Sequence, residues 1–184
     1  MIEIIPNWHP IFVHFTIALI SISALCYFIG FLAKQYSFGK ELLIVGRWCL
    51  WFGALAAIAT VIAGFIAYYS VAHDTPSHEA MTIHRNWAIA TFIVILMTTA
   101  WSTWMHIKHK SASFVFVLFM IIAFSLVTVT AWHGAGLVYR YGIGVRSLPN
   151  STGKGHQHSY DVEQKVRPKS HQKKKGHSDK PHTH

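Results

Sequence analysis

Four long apolar runs, separated by short polar stretches, occupy residues 11–132. They are Ile11–Ala33, Trp48–Ala72, Trp87–Met105 and Ser111–Trp132, and none contains a proline or an acidic residue. The length of each run is near the about 20 apolar residues that an α-helix needs to cross a bilayer. A buried helix of a water-soluble protein would be shorter and would show a polar face. The pattern therefore predicts an all-α protein, a four-helix transmembrane bundle with short loops.

The composition agrees with this prediction and separates an apolar membrane part from a polar, basic C-terminal part. The 184 residues are 52% hydrophobic and 12% charged, and half of the 16 Lys and Arg follow Ser151. From Leu148 onward Ser, Gly, Lys and His dominate, and such a segment buries too little apolar surface to offset the entropy of ordering. We predict a four-span membrane domain at residues 1–147 and a disordered, basic, His-rich tail at 148–184.

The side of the membrane on which each loop lies is predicted from Lys and Arg near the span ends. Four spans place both termini on one side. The loops after the first and third runs carry five basic residues: Lys34, Lys40, Arg47, Lys108 and Lys110. The other side carries three near the spans: Arg85, Arg140 and Arg146. The excess favours the first and third loops in the cytoplasm, with the termini on the outer side of a bacterial inner membrane.

Glycines and other small residues suggest how the helices pack and where the last one ends. In the second run Gly53 and Ala57 form one pair at four-residue spacing, and Ala56, Thr60 and Gly64 extend a second stripe. This spacing lets helix backbones approach closely in lipid. Gly134 and Gly136 are interpreted as a helix stop, with residues 137–145 lying in the interface or over the outer end of the bundle. No repeat of the solenoid kind is present.

Histidines are the main candidates for chemistry. Eight lie before the tail, and six of these fall on the side that carries the N-terminus: His9, His14, His73, His78, His84 and His133. His14 lies inside the first run, where a polar side chain is expected to face the bundle interior. His9 precedes it by five residues, about 140° round a helix, so the two do not share a face. We therefore interpret His9 as interfacial and retain His14.

Four histidines, one per span, then lie at similar depth: His14, His73, His84 and His133. Two neutral imidazoles from facing helices could hold a haem iron axially, and three or four could hold copper or zinc. We take His14 and His133 as the preferred axial pair for haem b, with His84 and His73 as substitutes or a second pair. Arg85 and Arg140 are candidates to pair with the haem propionates, or with lipid headgroups.

The alternative is that these histidines have a structural role, because an interfacial histidine can bond a backbone carbonyl or a neighbouring helix. The sequence contains no CxxCH, HExxH or CxxC signature of haem or zinc. The second loop, HDTPSHEAMTIH, and the six tail histidines could also bind copper or zinc weakly, and the tail lysines could bind anionic lipid. No span contains Asp or Glu and no phosphate loop is present, which disfavours transport and hydrolysis.

Three strings resemble a known family. The opening NWHPIFVHF, the string HRNWA and the closing HGAGLVYRYGIGV are similar to the bacterial membrane proteins grouped as domain of unknown function 2231, over roughly residues 5–146. The family usually has HGG where this chain has His133-Gly134-Ala135. The matching positions are His9, Pro10, His14, His84, His133, Gly134, Tyr139, Gly142 and Gly144. The resemblance implies a four-helix integral membrane protein, and family members joined to c-type cytochromes suggest a redox role by association.

Three functional hypotheses follow. The first is an electron-transfer protein that binds haem b or a metal near the outer face. The second is a copper- or zinc-handling membrane protein, and the third is a structural membrane subunit without a cofactor. Whether the protein is an enzyme is left open. The expected partners are the lipid bilayer, a c-type cytochrome or other redox partner, and a second copy of the chain; the outside orientation of the tail argues against nucleic acid.

Overall fold

A computed structural model describes residues 8–145, and four α-helices occupy almost all of that range. They are α1 (His9–Leu32), α2 (Ser37–Ser70), α3 (Thr75–Ile107) and α4 (Phe114–Tyr141). All four are long and apolar enough to cross a membrane. The predicted all-α, four-span architecture is confirmed. The predicted disorder of the tail concerns residues outside those that the structure describes.

The helices form an antiparallel bundle, because each connection is only a few residues long. Each helix packs against the next along the chain, and α4 closes the ring by packing against α1. The helices α1 and α3 therefore stand diagonally across the bundle, as do α2 and α4. One end of the bundle holds the start of α1 and α3 and the end of α2 and α4; we call it the histidine end, after His9, His84 and His133.

Two helices are longer than the apolar runs that predicted them. The helix α2 has 34 residues and α3 has 33, or about 50 Å each at 1.5 Å per residue. A bilayer core is about 30 Å thick, so both helices continue into polar surroundings. The early start of α3 is fixed by a capping box, in which the Asp74 carboxylate accepts from the Ser77 backbone N–H at 3.0 Å.

The end of α4 differs from the sequence prediction. Gly134 and Gly136 do not stop the helix, which continues to Tyr141 and ends at Gly142, a residue with φ of 63°. The predicted helix stop is therefore wrong, and residues 137–141 belong to α4. The location of residues 137–145 in the interface or over the outer end of the bundle stays a prediction. A glycine costs a helix about 1 kcal/mol relative to alanine, which continuous backbone hydrogen bonding and packing can outweigh. A left-handed φ, by contrast, favours glycine and ends the helix.

Glycines on α1 and α2 bring these two helices together. A Cβ atom at Gly53 would lie 2.8 Å from Ile20 Cδ1, and one at Gly46 would lie 3.1 Å from the Tyr27 ring. The predicted packing face on the second run is confirmed. Close approach of this kind allows dispersion contacts and hydrogen bonds between helices in lipid, and the Ser23 hydroxyl accordingly donates to the Gly46 carbonyl at 2.7 Å.

The bundle is built from two similar hairpins, α1–α2 and α3–α4. Buried positions of α1 recur in α3 at the interval of 75 residues that separates Tyr27 from Ser102. The pairs are Thr16 and Thr91, Ile20 and Ile95, Ser23 and Thr98, Tyr27 and Ser102, and Gly30 and Met105. Buried positions of α2 recur in α4 at an interval of 70 residues, that between Gly46 and Phe116; the further pairs are Leu50 and Met120, Gly53 and Ala123, and Ala57 and Val127. The two hairpins thus share one pattern of buried positions, although α1 and α2 are in closer contact than α3 and α4.

Residue identity between the hairpins is concentrated at the histidine end. His9 corresponds to His84 and Thr16 to Thr91 in the first helix of each hairpin. Thr60 corresponds to Thr130 and Gly64 to Gly134 in the second. Farther down the bundle the paired positions share burial but only rarely the residue. Packing alone tolerates such variation, so the shared residues at the histidine end point to a requirement beyond core filling.

Candidate functional site

Two histidines meet at the histidine end of the bundle. The rings of His9 on α1 and His84 on α3 lie edge to face, with 6.3 Å between their centroids and 77° between their planes. Both side chains are half-buried. Since α1 and α3 are diagonal, the two rings approach each other across the middle of the bundle.

Each of the two rings is anchored to the other helix of its own hairpin. His9 Nδ1 lies 3.0 Å from the Thr60 carbonyl oxygen, and His84 Nδ1 lies 3.2 Å from the Thr130 carbonyl oxygen. A carbonyl oxygen can only accept a hydrogen bond, so both Nδ1 atoms carry the proton. In a neutral imidazole the lone pair is then on Nε2. This anchoring of Nδ1–H to a backbone carbonyl is the usual support of a histidine that binds a metal through Nε2.

Threonines lie beneath the rings and connect the helices of each hairpin. The Thr16 and Thr60 hydroxyls are 2.8 Å apart, and the Thr91 and Thr130 hydroxyls are 2.7 Å apart. These two hydrogen bonds join α1 to α2 and α3 to α4 one level below the histidines. They fix the helix backbones that carry the accepting carbonyls, so the ring positions depend on them.

Glycines give the rings their space. A Cβ atom at Gly64 would lie 3.0 Å from His9 Cε1 and Nδ1, and one at Gly134 would lie 3.0 Å from His84 Cε1. Both distances are shorter than ordinary van der Waals contact, so even alanine would press on the ring. Gly134, interpreted from the sequence as a helix stop, is instead a packing position within α4.

His133 borders this pair without joining it as an opposing ring. It stacks on Trp87 with 5.9 Å between centroids and meets Trp132 edge to face at 5.1 Å. Gly134, the next residue along α4, lies against the His84 ring. His133 is thus next in the chain to a residue that contacts His84, and Trp87 stacks on it.

His14, the preferred ligand on α1 from the sequence, occupies a different position. Its side chain is exposed, and its Nδ1 contacts the carbonyl oxygen of Pro10 one turn earlier in the same helix. This local hydrogen bond satisfies the ring, so His14 needs no partner in the bundle interior. The expectation that His14 faces inward is wrong, whereas the inference that His9 and His14 lie on different faces is confirmed. The inward histidine of α1 is His9.

His73 also lies apart from the central pair. It is exposed in the α2–α3 connection, and its Nε2 lies 2.9 Å from Nδ1 of His78 while its Nδ1 lies 2.7 Å from the Val71 carbonyl oxygen. The two rings stack with 5.1 Å between centroids. The second loop therefore brings together two of the residues that the sequence suggested for weak metal binding, but it does not bring His73 to His84.

Arg85 and Arg140, the predicted partners of the haem propionates, lie at the histidine end of the bundle, each over an aromatic ring. Arg85 Cζ is 4.9 Å from the centroid of Tyr68, and Arg140 Cζ is 5.8 Å from that of Trp132. Cation–π contacts of this kind are worth about 0.5–1 kcal/mol at exposed sites. They hold the guanidinium groups near the rim of the bundle, and Arg85 also donates from Nη2 to the side-chain oxygen of Asn86 at 3.4 Å.

The described residues contain no group of three or more His, Cys, Asp or Glu side chains arranged to hold a metal ion. They contain two pairs of neighbouring imidazoles, His9 with His84 and His73 with His78. A bare copper or zinc ion usually takes three or four protein ligands, whereas a haem iron needs only two axial ones.

A family model described as "Predicted membrane protein (DUF2231)" matches residues 6–147. The chain belongs to the DUF2231 family. The resemblance seen in the three sequence strings is thereby confirmed, and with four apolar helices this DUF2231 protein is a multi-pass membrane protein. The search of curated proteins and the search of solved structures each find no match.

One signal in this DUF2231 sequence could have identified the central pair. His9 and Thr16 are seven residues apart, as are His84 and Thr91, and Thr60 precedes Gly64 by four, as Thr130 precedes Gly134. The spacing of these residues in α1 and α2 is thus the same as in α3 and α4. These matches indicate a repeated helical hairpin, which is not a repeat of the solenoid kind.

Proposed function

We propose that this DUF2231 protein is an electron-transfer protein that binds one b-type haem between His9 and His84. The observation that carries the proposal is the pair of opposed imidazoles, each with Nδ1–H held by a backbone carbonyl. Two such rings, presented from diagonal helices, are the donor set that axial ligation of a haem iron requires. The haem supplies one-electron chemistry when bound.

The residues around the pair have roles consistent with this proposal. The Thr60 and Thr130 carbonyls would set the orientation of the axial rings and raise their basicity. Gly64 and Gly134 keep side-chain volume away from the rings. This assignment replaces His14 with His9 as the α1 ligand and leaves His133 as a neighbour.

Arg85 and Arg140 are the candidates to bind the haem propionates. Both guanidinium groups lie at the histidine end, where the propionates of a haem held by His9 and His84 would reach polar surroundings. Arginine binds carboxylates through paired N–H donors. Arg85 donates from Nη2 to the Asn86 side-chain oxygen at 3.4 Å, and its other N–H donors would meet a propionate.

The test is a reduced-minus-oxidised absorption spectrum of the detergent-purified protein, produced in cells supplied with a haem precursor. We expect the sharp α-band of a six-coordinate haem b. His9→Ala and His84→Ala should each remove it, because each takes away one axial ligand. His14→Ala is the matched control: it also removes a histidine from α1, but an exposed one, and it should leave the band intact.

The alternatives give different patterns. Loss of the band in His14→Ala together with His133→Ala, and its retention in His9→Ala, would restore the pairing predicted from the sequence. A folded wild-type protein that takes up no haem in cells or on titration with hemin would contradict the proposal and favour a structural subunit without a cofactor.

A copper or zinc site in the α2–α3 connection is the second candidate. The contact that favours it is the 2.9 Å approach of His73 Nε2 to His78 Nδ1. A metal ion would have to displace this hydrogen bond and complete its coordination with water, so binding would be weak. Elemental analysis after equilibration with Cu²⁺ or Zn²⁺ should then show metal in the wild type and less in His73→Ala. The contribution of the tail histidines can be measured separately, by deleting residues 151–184.

The location that fits this function is a bacterial inner membrane with the histidine end on the outer side. The basic residues near the span ends support that orientation through the positive-inside rule. A haem near the outer face would exchange electrons with a c-type cytochrome or another redox partner on that side. A second copy of the chain is a further candidate partner.

A further inference from the structure

A second polar site lies at the end of the bundle opposite the histidines. A cavity of about 100 Å³ opens there between α1, α2, α3 and the α3–α4 connection. Its lining comprises Tyr27, Leu43, Ile44, Arg47, Ser102, Met105, His106, Lys110, Ser111 and Ala112. The volume suits a group of the size of phosphate.

The lining of this cavity is basic. Arg47, His106 and Lys110 contribute nitrogen donors, and Tyr27 and Ser102 contribute hydroxyl groups that are 3.0 Å apart. Among the described residues that line the cavity none is acidic. Arginine and lysine are the cationic side chains that bind phosphate and carboxylate groups. Several donors with no balancing carboxylate make the cavity suited to an anion.

Two buried N–H groups beside the cavity lack an acceptor within residues 8–145. They are Nε of Arg47 and Nε1 of Trp51. The Arg47 guanidinium lies over the Trp51 ring at 5.5 Å, and that ring meets His106 edge to face at 5.6 Å. Both orphan groups are donors, and a buried donor without an acceptor destabilises the folded protein, the more so when it is charged. The partner that would relieve this cost is an acceptor, and Arg pairs best with phosphate or carboxylate.

The equivalent positions of the bundle carry no basic side chain. Val117 and Ile121 of α4 correspond to Arg47 and Trp51 of α2. Phe31 of α1 and Gln35, just after it, correspond to His106 and Lys110. The contact between α2 and α3 is thus basic and aromatic where the equivalent contact, between α4 and α1, is uncharged at these positions. Two helices of this bundle therefore pack without basic residues at these positions.

We propose that this cavity binds a phosphate group, either from an anionic lipid headgroup or from a free phosphate compound. Arg47 immediately precedes the second apolar run, and Lys110 follows the third after a few residues. Both therefore lie at headgroup depth. Basic pockets between transmembrane helices at this depth bind lipid phosphates. Neither the cavity nor its ligand depends on haem at the histidine end.

The experiment uses the full-length protein in neutral detergent and has two arms. The first measures thermal unfolding with increasing sodium phosphate against sodium chloride at equal ionic strength. The second adds phosphatidylglycerol or phosphatidylcholine and counts bound lipids by native mass spectrometry. Stabilisation by phosphate alone identifies a free phosphate compound, whereas selective retention of phosphatidylglycerol identifies a lipid headgroup. Either result supports the site.

Substitutions locate the binding. Arg47→Gln should weaken it by about tenfold or more, since a charged hydrogen bond is worth about 1.5–3 kcal/mol. Lys40→Gln removes a charge from the same helix at an exposed position outside the cavity, and it should change binding by less than about twofold. If Arg47→Gln does not fold, Lys110→Gln, an exposed position in the α3–α4 connection, takes its place.

The proposal is overturned if neither phosphate nor phosphatidylglycerol binds better than its control. It is also overturned if Lys40→Gln weakens binding as much as the cavity variants, because binding would then follow total charge. These readouts do not involve haem absorbance, so failure here and failure of the haem proposal are distinguishable.

Discussion

The imidazoles of His9 and His84 approach edge to face at 6.3 Å between centroids, although they belong to diagonal helices of the bundle. Each ring donates a hydrogen bond from Nδ1 to a backbone carbonyl on the other helix of its own hairpin. The acceptor is Thr60 for His9 and Thr130 for His84. The site is thus made by two copies of one local arrangement that face each other. Its geometry depends on the glycine and threonine positions as much as on the histidines.

The glycines beside the rings give the first prediction. Gly64→Ala and Gly134→Ala should each destabilise the protein by about 1–3 kcal/mol, since the new methyl group presses on a ring that a carbonyl holds in place. Gly136→Ala is the matched control within α4, because a Cβ atom there meets nothing within 4 Å. It should stabilise the helix by about 0.5–1 kcal/mol. Unfolding in SDS–detergent mixtures measures all three.

The free energy of unfolding should therefore change in opposite directions at Gly134 and Gly136. Equal effects at Gly134 and Gly136 would show that the His84 ring is free to move aside, and the anchored-ring description would be wrong. Haem uptake by Gly64→Ala provides a second readout, which should fall together with stability.

The sequence was sufficient for the fold but not for the site. Apolar runs of spanning length predict four helices directly, because the bilayer demands that length of any helix that crosses it. Which histidine of α1 faces inward depends on helix rotation. His14 lies deeper in the apolar run, but its bond to the Pro10 carbonyl lets it remain exposed, so depth alone does not show which histidine faces inward. The His9–His84 contact spans diagonal helices, so only a comparison of the two hairpins indicates it.

Tyr27 and Ser102 form a second cross-bundle contact and give a prediction about stability. Both are buried, with exposed fractions of 3% and 2%, and their hydroxyls are 3.0 Å apart. A double-mutant cycle of Tyr27→Phe and Ser102→Ala should give a coupling energy of about 0.6 kcal/mol, the average for hydrogen bonds between membrane helices. Ser125→Ala, at an exposed position of α4, serves as the control and should change stability by less than about 0.5 kcal/mol. A coupling energy of zero would mean that these hydroxyls find equivalent partners when separated.

The cap of α3 should respond to pH. The hydrogen bond from Ser77 holds the pKa of the Asp74 carboxyl below its ordinary value of 3.8. A lowered folded-state pKa means that the cap stabilises α3 fully above the unfolded-state value and loses this effect as pH falls through the lower folded-state value. The amide proton of Ser77, followed by NMR in detergent micelles, should therefore shift with a midpoint below pH 3.8. Asp74→Asn keeps a capping side chain without the titration, so its Ser77 signal should stay constant; a midpoint above 3.8 in the wild type would contradict the assignment.

Membrane orientation gives the last prediction, and it determines which partners can reach each end of the bundle. Lys34, Lys40, Arg47, Lys108 and Lys110 near the α1–α2 and α3–α4 connections should hold those connections in the cytoplasm. In a variant with Cys26 and Cys49 replaced by Ala, we introduce one cysteine at Glu79→Cys in the exposed first turns of α3, or at Lys108→Cys beyond its end. A membrane-impermeant maleimide added to intact spheroplasts should label the first variant at once and the second only after the membrane is permeabilised. The reverse pattern would place the histidine end in the cytoplasm, where a periplasmic cytochrome could not reach it, and the redox partner would then have to be a cytoplasmic one.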